Sequence, residues 1–235
     1  MLIYGINPVL EALRAGRATA VRVSSRADGR VAAAIRLAEE RGVSVRRVPA
    51  ADLDRETQGA SHQGVAADAR SGGALGVEDL MAPGATPLIV VLDGIEDPHN
   101  VGAILRTVDA AGAHGVVRQS RRAAPLGGAA AKASAGAVAH VKVVEVVNIA
   151  RTLETLKQAG VWTVGLAGEA ATRYDRIDYT LPTALVVGAE GTGLRRLVRD
   201  RCDWLVSIPM RGHVQSLNVS VAAGIVLFEA VRQRG

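Results

Sequence analysis

Three polar segments in the carboxyl-terminal part of the chain carry residue types that could do chemistry. The first runs Asp93-Gly94-Ile95-Glu96-Asp97-Pro98-His99-Asn100-Val101-Gly102-Ala103-Ile104-Leu105-Arg106-Thr107. It follows the apolar run Leu88–Leu92, and ligands of α/β proteins gather where such strands end. Asn100 is expected to cap the next helix, and Arg106 to lie near that helix's middle. A solvated arginine on a helix face is the ordinary alternative. The second segment, Gly188-Ala189-Glu190-Gly191-Thr192-Gly193, follows another apolar run, Thr183–Val187. Its glycines permit close backbone approach to a ligand or simply a tight turn. The spacing is not that of a dinucleotide fingerprint, and no lysine follows to make a phosphate-binding loop of the Walker type. The third segment is Ile208-Pro209-Met210-Arg211-Gly212-His213-Val214-Gln215-Ser216-Leu217-Asn218-Val219-Ser220. Ser216 or Asn218 can cap the helix that begins there.

The remaining candidates are weaker. The histidines, at 62, 99, 114, 140 and 213, lack metal-ligand spacing, so no metal is expected. Cys202 is the single cysteine, which excludes an internal disulfide, and it reads as a structural thiol. Arg118, Arg121 and Arg122 form a basic run suited to contacts with a phosphate backbone.

These segments need a scaffold, and the pattern of the chain supplies one. The chain has 235 residues, 49% of them hydrophobic and 22% charged, which excludes a disordered chain. Aromatic residues make up 3%, so Val, Leu, Ile and Ala must build the core, and interleaved stacking platforms for bases are missing. A first α/β module alternates helices at 9–15, 30–41 and 52–57 with strands at 20–24, 43–48 and 65–69. Residues 71–86, with Gly72-Gly73 and Pro83-Gly84, read as a linker around a short helix. From Pro87 onward strands at 88–92, 115–118, 141–147, 161–165, 183–187 and 204–208 alternate with helices at 100–111, 129–136, 149–159, 194–199 and 218–232. A parallel sheet covered by helices is the natural reading. The Ala- and Gly-rich stretch 123–139 reads as compositional bias around a helix.

The formal net charge is +5, from 28 basic and 23 acidic residues. That makes a nucleic-acid partner plausible without establishing one. No apolar run is long enough to span a membrane and no leader is evident, so a cytoplasmic location is expected.

Taken together, the three segments resemble the signature blocks of the SpoU/TrmH family of RNA ribose 2'-O-methyltransferases. The first resembles its Asn-x-Gly-x-x-x-Arg-Thr block, the second Gly-x-Glu-Gly-x-Gly, and the third Ile-Pro-Met followed by Ser-Leu-Asn-Val-Ser. Tyr4-Gly5-Ile6-Asn7-Pro8 and His62-Gln63-Gly64-Val65 resemble the small amino-terminal domain of one branch, a branch that includes enzymes acting on a guanosine ribose of bacterial 23S ribosomal RNA.

The resemblance implies a small α/β RNA-recognition domain at 1–70, a linker at 71–86, and a parallel-sheet methyltransferase domain with a deep trefoil knot at 87–235. It implies S-adenosylmethionine as cofactor and a homodimer formed through the carboxyl-terminal domain. The substrate implied first is 23S ribosomal RNA. A transfer RNA, or a non-catalytic role in RNA binding or ribosome assembly, are the alternatives. Arg106, Asn100, Glu190, Ser216 and Asn218 are implied as catalytic, with Glu190 orienting Arg106 or a nearby loop. Gly188, Gly193, Ile208, Met210 and Leu217 are implied at the cofactor. Arg118, Arg121 and Arg122 are expected against RNA, joined by Arg211 and His213, where the loop departs from the small polar residues of relatives.

Overall fold

A computed structural model describes residues 1–25, 29–69, 75–81, 84–121 and 123–235. The chain forms two compact units. One comprises Met1–Gly73, Val101–Arg106 and Pro125–His140; the other comprises Ala74–Asn100, Thr107–Ala124 and Val141–Gly235.

The first unit carries strands β1 (Leu2–Tyr4), β2 (Ala18–Ser24), β3 (Ser44–Val48) and β4 (Val65–Ala69), in the order β1-β4-β2-β3. Helices α1 (Ile6–Arg14), α2 (Ala32–Glu40) and α3 (Ala50–Glu56) connect them. β2 pairs parallel with β3, whereas β4 runs antiparallel to both β1 and β2. The strand β1 escapes the sequence pattern because it is short, and α1 starts at Ile6, ahead of Pro8. Proline is tolerated in a first turn, where its missing N–H has no intrahelical acceptor. Arg22 of β2 donates to Asp68 of β4 at 2.6 and 3.0 Å, tying the two strands side by side.

The Ala- and Gly-rich stretch belongs to this unit, and close packing explains its composition. Helix α5 (Gly128–Ala133) sits against β1, and the following turn Ala137–Ala139 against α1. A Cβ on Gly127 would lie 2.4 Å from the Leu2 carbonyl oxygen, and one on Gly136 would lie 2.3 Å from Glu11 Cγ. Arg17 donates to the Val138 carbonyl at 2.7 Å, and His140 Nε2 lies 2.8 Å from Glu11.

The second unit is built on β5 (Leu88–Asp93), β6 (Gly115–Gln119), β7 (Val143–Val146), β8 (Trp162–Leu166), β9 (Thr172–Arg173), β10 (Thr183–Gly188) and β11 (Trp204–Ser207). Their order is β7-β6-β5-β10-β8-β11-β9, and every pairing is parallel. Helices α4 (Pro98–Ala110), α6 (Ile149–Gln158), α7 (Arg196–Arg199) and α8 (Val219–Arg234) complete the chain. β5 and β10 pair at the centre and are buried along their whole lengths, as their unbroken apolar runs require. Parallel pairing also sets every carboxyl end on one edge, so the polar segments after β5, β8, β10 and β11 share that edge.

The expected linker is partly core. Val77 and Leu80 are buried in the same cluster as Ile89, Val91 and Val186. Gly72, Gly73 and Pro83 lie outside the described residues.

Candidate active site

The segments after β8, β10 and β11 enclose a cavity of about 900 Å3. Its wall includes Gly188, Gly193, Ile208, Met210 and Leu217, all singled out in the sequence. Gly188 is dictated by packing. A Cβ there would stand 2.2 Å from the Gly193 carbonyl carbon, because Ala189 and Gly193 bond to each other across the turn at 2.8 and 3.1 Å. Gly191 and Gly193 have φ of +79° and +66°, which L side chains seldom adopt. The glycines thus fold a narrow hairpin whose backbone faces the cavity without side chains in the way.

A chain of side-chain hydrogen bonds joins the three polar segments. Asn218 Nδ2 donates to Asn100 Oδ1 at 2.9 Å, and Asn100 Nδ2 donates to Glu190 Oε2 at 3.3 Å. Asn218 also caps α8, accepting from the Ser220 backbone N–H at 2.9 Å. Asn100, in contrast, does not cap α4: that cap is Asp97, which accepts from the His99 N–H at 3.0 Å. Capping by Asp97 leaves the Asn100 amide free to link Glu190 to Asn218 from inside the first turn, where it is 7% exposed. Glu190 therefore bonds to Asn100, not to Arg106. Asn100 and Arg106 stand six residues apart on α4 and do not share a face, so a carboxylate engaged by one is turned from the other.

Arg106 is exposed on α4 and makes no hydrogen bond or ion pair among the described residues. Ser216 is exposed on the cavity wall, and so is His213. Arg211 and Arg121 are exposed as well, the former beside the cavity loop, the latter after β6. Arg122 lies outside the described residues. Arg118 corrects an expectation. It is 8% exposed, and its guanidinium donates to Glu145 at 2.8 and 3.1 Å and to the Ala124 carbonyl. A guanidinium occupied in this way holds β6 to β7 and is not offered to RNA.

Two features escaped the sequence reading. Leu166–Glu169 supply a further cavity wall after β8, and the only cue was the polar Gly168-Glu169 pair following an apolar strand. Asp93, fully buried at the end of β5, accepts from the Arg195 backbone N–H at 2.8 Å and from Arg195 Nε at 2.6 Å. That pair fixes the start of α7 and so the far side of the glycine hairpin. Cys202 is structural, as expected: burial pushes its thiol up to about 12, and Sγ faces the Val198 carbonyl at 3.4 Å. Among the described residues no group of His, Cys, Asp or Glu could hold a metal, and no helix is long and apolar enough to cross a membrane.

The cavity's chemistry suits an adenosyl cofactor. It offers an apolar slot of Ile208, Met210 and Leu217 for a base, and side-chain-free backbone at Gly188 for a ligand's polar atoms.

Fold and site together describe a parallel-sheet α/β domain with a ligand cavity at the carboxyl edge of its strands, and comparison with known proteins is specific. Residues 87–228 match the model of the SpoU rRNA Methylase family, and residues 2–71 match that of RNA 2'-O ribose methyltransferase substrate binding. The chain belongs to the SpoU rRNA methylase family, whose carboxyl-terminal domain carries a trefoil knot. It is 45% identical over 239 residues to the 23S rRNA (guanosine-2'-O-)-methyltransferase RlmB of Photorhabdus laumondii, covering 99% of this chain and 98% of that protein. Among solved structures it is similar to the SpoU methyltransferase AviRb from Streptomyces viridochromogenes in complex with AdoMet, with TM-score 0.84 and 28% identity over 100% of this chain and 90% of that one. It is also similar to the TrmH/SpoU tRNA modifying enzyme of A. aeolicus, with TM-score 0.57 and 35% identity, but over 64% of this chain and 76% of that one.

Proposed function

We infer that this protein is an S-adenosylmethionine-dependent methyltransferase that modifies a ribose 2'-hydroxyl of ribosomal RNA, with a guanosine of 23S rRNA as the target. The observation that carries this reading is the Asn218–Asn100–Glu190 chain beside the glycine-walled cavity. It brings together one residue from each family block. Membership in the SpoU family and the 45% identity to a 23S rRNA guanosine methyltransferase along the whole chain support it. The tRNA-modifying structure covers only 64% of the chain, which favours ribosomal over transfer RNA.

When bound, the cofactor supplies a methyl group on a sulfonium centre. Gly188, Gly193, Ile208, Met210 and Leu217, which line the cavity, would hold it. Asn100, fixed by both neighbours, orients the reacting hydroxyl. Asn218 and Glu190 act through it, and Ser216 adds a hydroxyl on the cavity wall. Arg106 contacts the target phosphate and stabilises negative charge developing on the 2'-oxygen. Its guanidinium is too basic to serve readily as a proton acceptor, so fixed charge is the physically safer role.

The amino-terminal residues 1–70 recognise RNA, a role supported by the substrate-binding family model over 2–71 and by exposed Arg46 and Arg47 on the edge strand β3. Arg121, Arg211 and His213 contribute contacts around the site. The protein acts in the cytoplasm as a homodimer through α8, where Val221 is 50% and Phe228 49% exposed at positions sharing one helix face. Mapping 2'-O-methylated nucleotides in ribosomal and transfer RNA from a deletion strain tests the reading. Loss of one 2'-O-methylguanosine from 23S rRNA is expected. Loss confined to transfer RNA, or no loss, would overturn it.

A further inference from the structure

Glu169 has no part in the chemistry assigned above, yet its side chain lines the cavity from the segment after β8. Its surroundings are specific. Arg199, also on the cavity wall, donates to Glu169 Oε1, while Oε2 has no partner among the described residues. The backbone N–H of Glu169 itself, together with Arg199, holds the carboxyl below the usual range, so an ionised acceptor faces the cavity.

Strand order places this carboxylate relative to the other groups. β10 and β11 flank β8. Asn100 and Glu190 follow β5 and β10, and the apolar Ile208 and Met210 follow β11. Along the shared edge the groups therefore run from reaction-end polar residues, through Glu169, to an apolar slot. Adjacent strands lie about 4.8 Å apart, so the interval from β10 to β11 is about 10 Å. An adenosyl ligand has the same sequence of parts: a charged reacting end, a ribose with two vicinal hydroxyls, and a flat base.

Resting on the cofactor reading above, we propose that Glu169 is the residue that recognises the ribose diol of the cofactor, with Arg199 positioning its carboxylate. Carboxylates at the ends of parallel strands serve ribose hydroxyls in the same way in dinucleotide-binding sheets, because an ionised carboxylate accepts from both hydroxyls at once. The second carboxylate of the cavity, Glu190, is engaged by Asn100 and lies one strand nearer the reacting end.

Calorimetric titration of the full chain with S-adenosylhomocysteine and with its 2',3'-dideoxy analogue tests this. The wild type is expected to favour the diol by roughly 10- to 100-fold, the span of hydrogen bonds to a charged group. Glu169→Ala should weaken S-adenosylhomocysteine by a similar factor and bind the two ligands within about threefold of each other. Arg199→Ala, which breaks the ion pair but keeps the carboxylate, should retain most of the preference. That retention separates ligand recognition from a merely structural pair, whose loss would weaken both ligands equally. A Glu169→Ala protein that keeps the wild-type preference, or a wild type indifferent to the diol, overturns the proposal while leaving the cofactor reading intact. A wild type that binds neither ligand overturns the cofactor reading and this proposal with it.

Discussion

The segments that follow β5 and β6 look alike in sequence and differ in what they do. Each leaves a buried parallel strand, each carries an arginine, and each leads into a helix. After β5, Asn100 reaches Glu190 and Asn218, and Arg106 remains exposed, without an ion pair among the described residues. On the β6 side, Arg118, the next-to-last residue of the strand itself, is enclosed by Glu145 and the Ala124 carbonyl, and the small residues of α5 leave room for a neighbour. A Cβ on Gly102 would lie 2.5 Å from the Ala130 carbonyl oxygen and 2.6 Å from Ala133 Cβ. The difference teaches that a basic run beside a ligand edge is not by itself a binding surface. What decides is whether the guanidinium already has partners within its own unit.

That contrast can be broken most forcefully at the two arginines. Arg106→Ala should cost about 3–5 kcal/mol in the chemical step, or roughly 10²–10⁴ in single-turnover rate at saturating RNA and cofactor. Arg106→Lys should recover part of it, since lysine keeps the charge but loses the planar fork. Cofactor affinity should stay within a few-fold in both. Arg118→Ala should do the reverse. Its rate should stay within a few-fold, while stability falls by about 1–3 kcal/mol from lost hydrogen bonds at a buried site, read as a lower midpoint of denaturant unfolding. If Arg118→Ala loses RNA affinity with unchanged stability, the contrast is wrong.

Smaller effects sharpen it. Asn100→Ala breaks the link between Glu190 and Asn218 and should lower the single-turnover rate by roughly 10- to 100-fold, through misplacement of the reacting groups. Stability should fall by about 1–3 kcal/mol from the two lost side-chain hydrogen bonds, while α4 itself stays capped by Asp97. Gly102→Ala forces the helix away from α5 and should destabilise by about 1–3 kcal/mol. The smallest effect concerns Cys202. With its thiol pushed up to about 12 by burial, the native protein at pH 8 holds almost no thiolate there, so alkylation by iodoacetamide should be slow until denaturant unfolds the chain. Fast native labelling at pH 8 would contradict the buried environment.

Much of this was legible in the sequence because it was local. The apolar runs of β5 and β10 announced buried strands, the Gly188–Gly193 block a close approach, and Asn218 a helix cap. Long-range facts were not legible. The insertion of β10 between β5 and β8 decides which loops meet, and pairing between distant strands leaves no periodic mark. Asp97 and Asn100 are both good capping residues three positions apart, and only geometry separates them. The same holds for Arg118 against Arg106, and for Val77 and Leu80, whose glycine-rich surroundings concealed two core residues.

The central claim is methyl transfer to a ribose of ribosomal RNA, and incubation of the full chain with 23S rRNA and isotopically labelled S-adenosylmethionine tests it most directly. Digestion to nucleosides and mass spectrometry should show the label in 2'-O-methylguanosine alone, about one per RNA molecule at completion, with EDTA present throughout. Label on a base, or label in transfer RNA but not in 23S rRNA under the same conditions, would contradict the account.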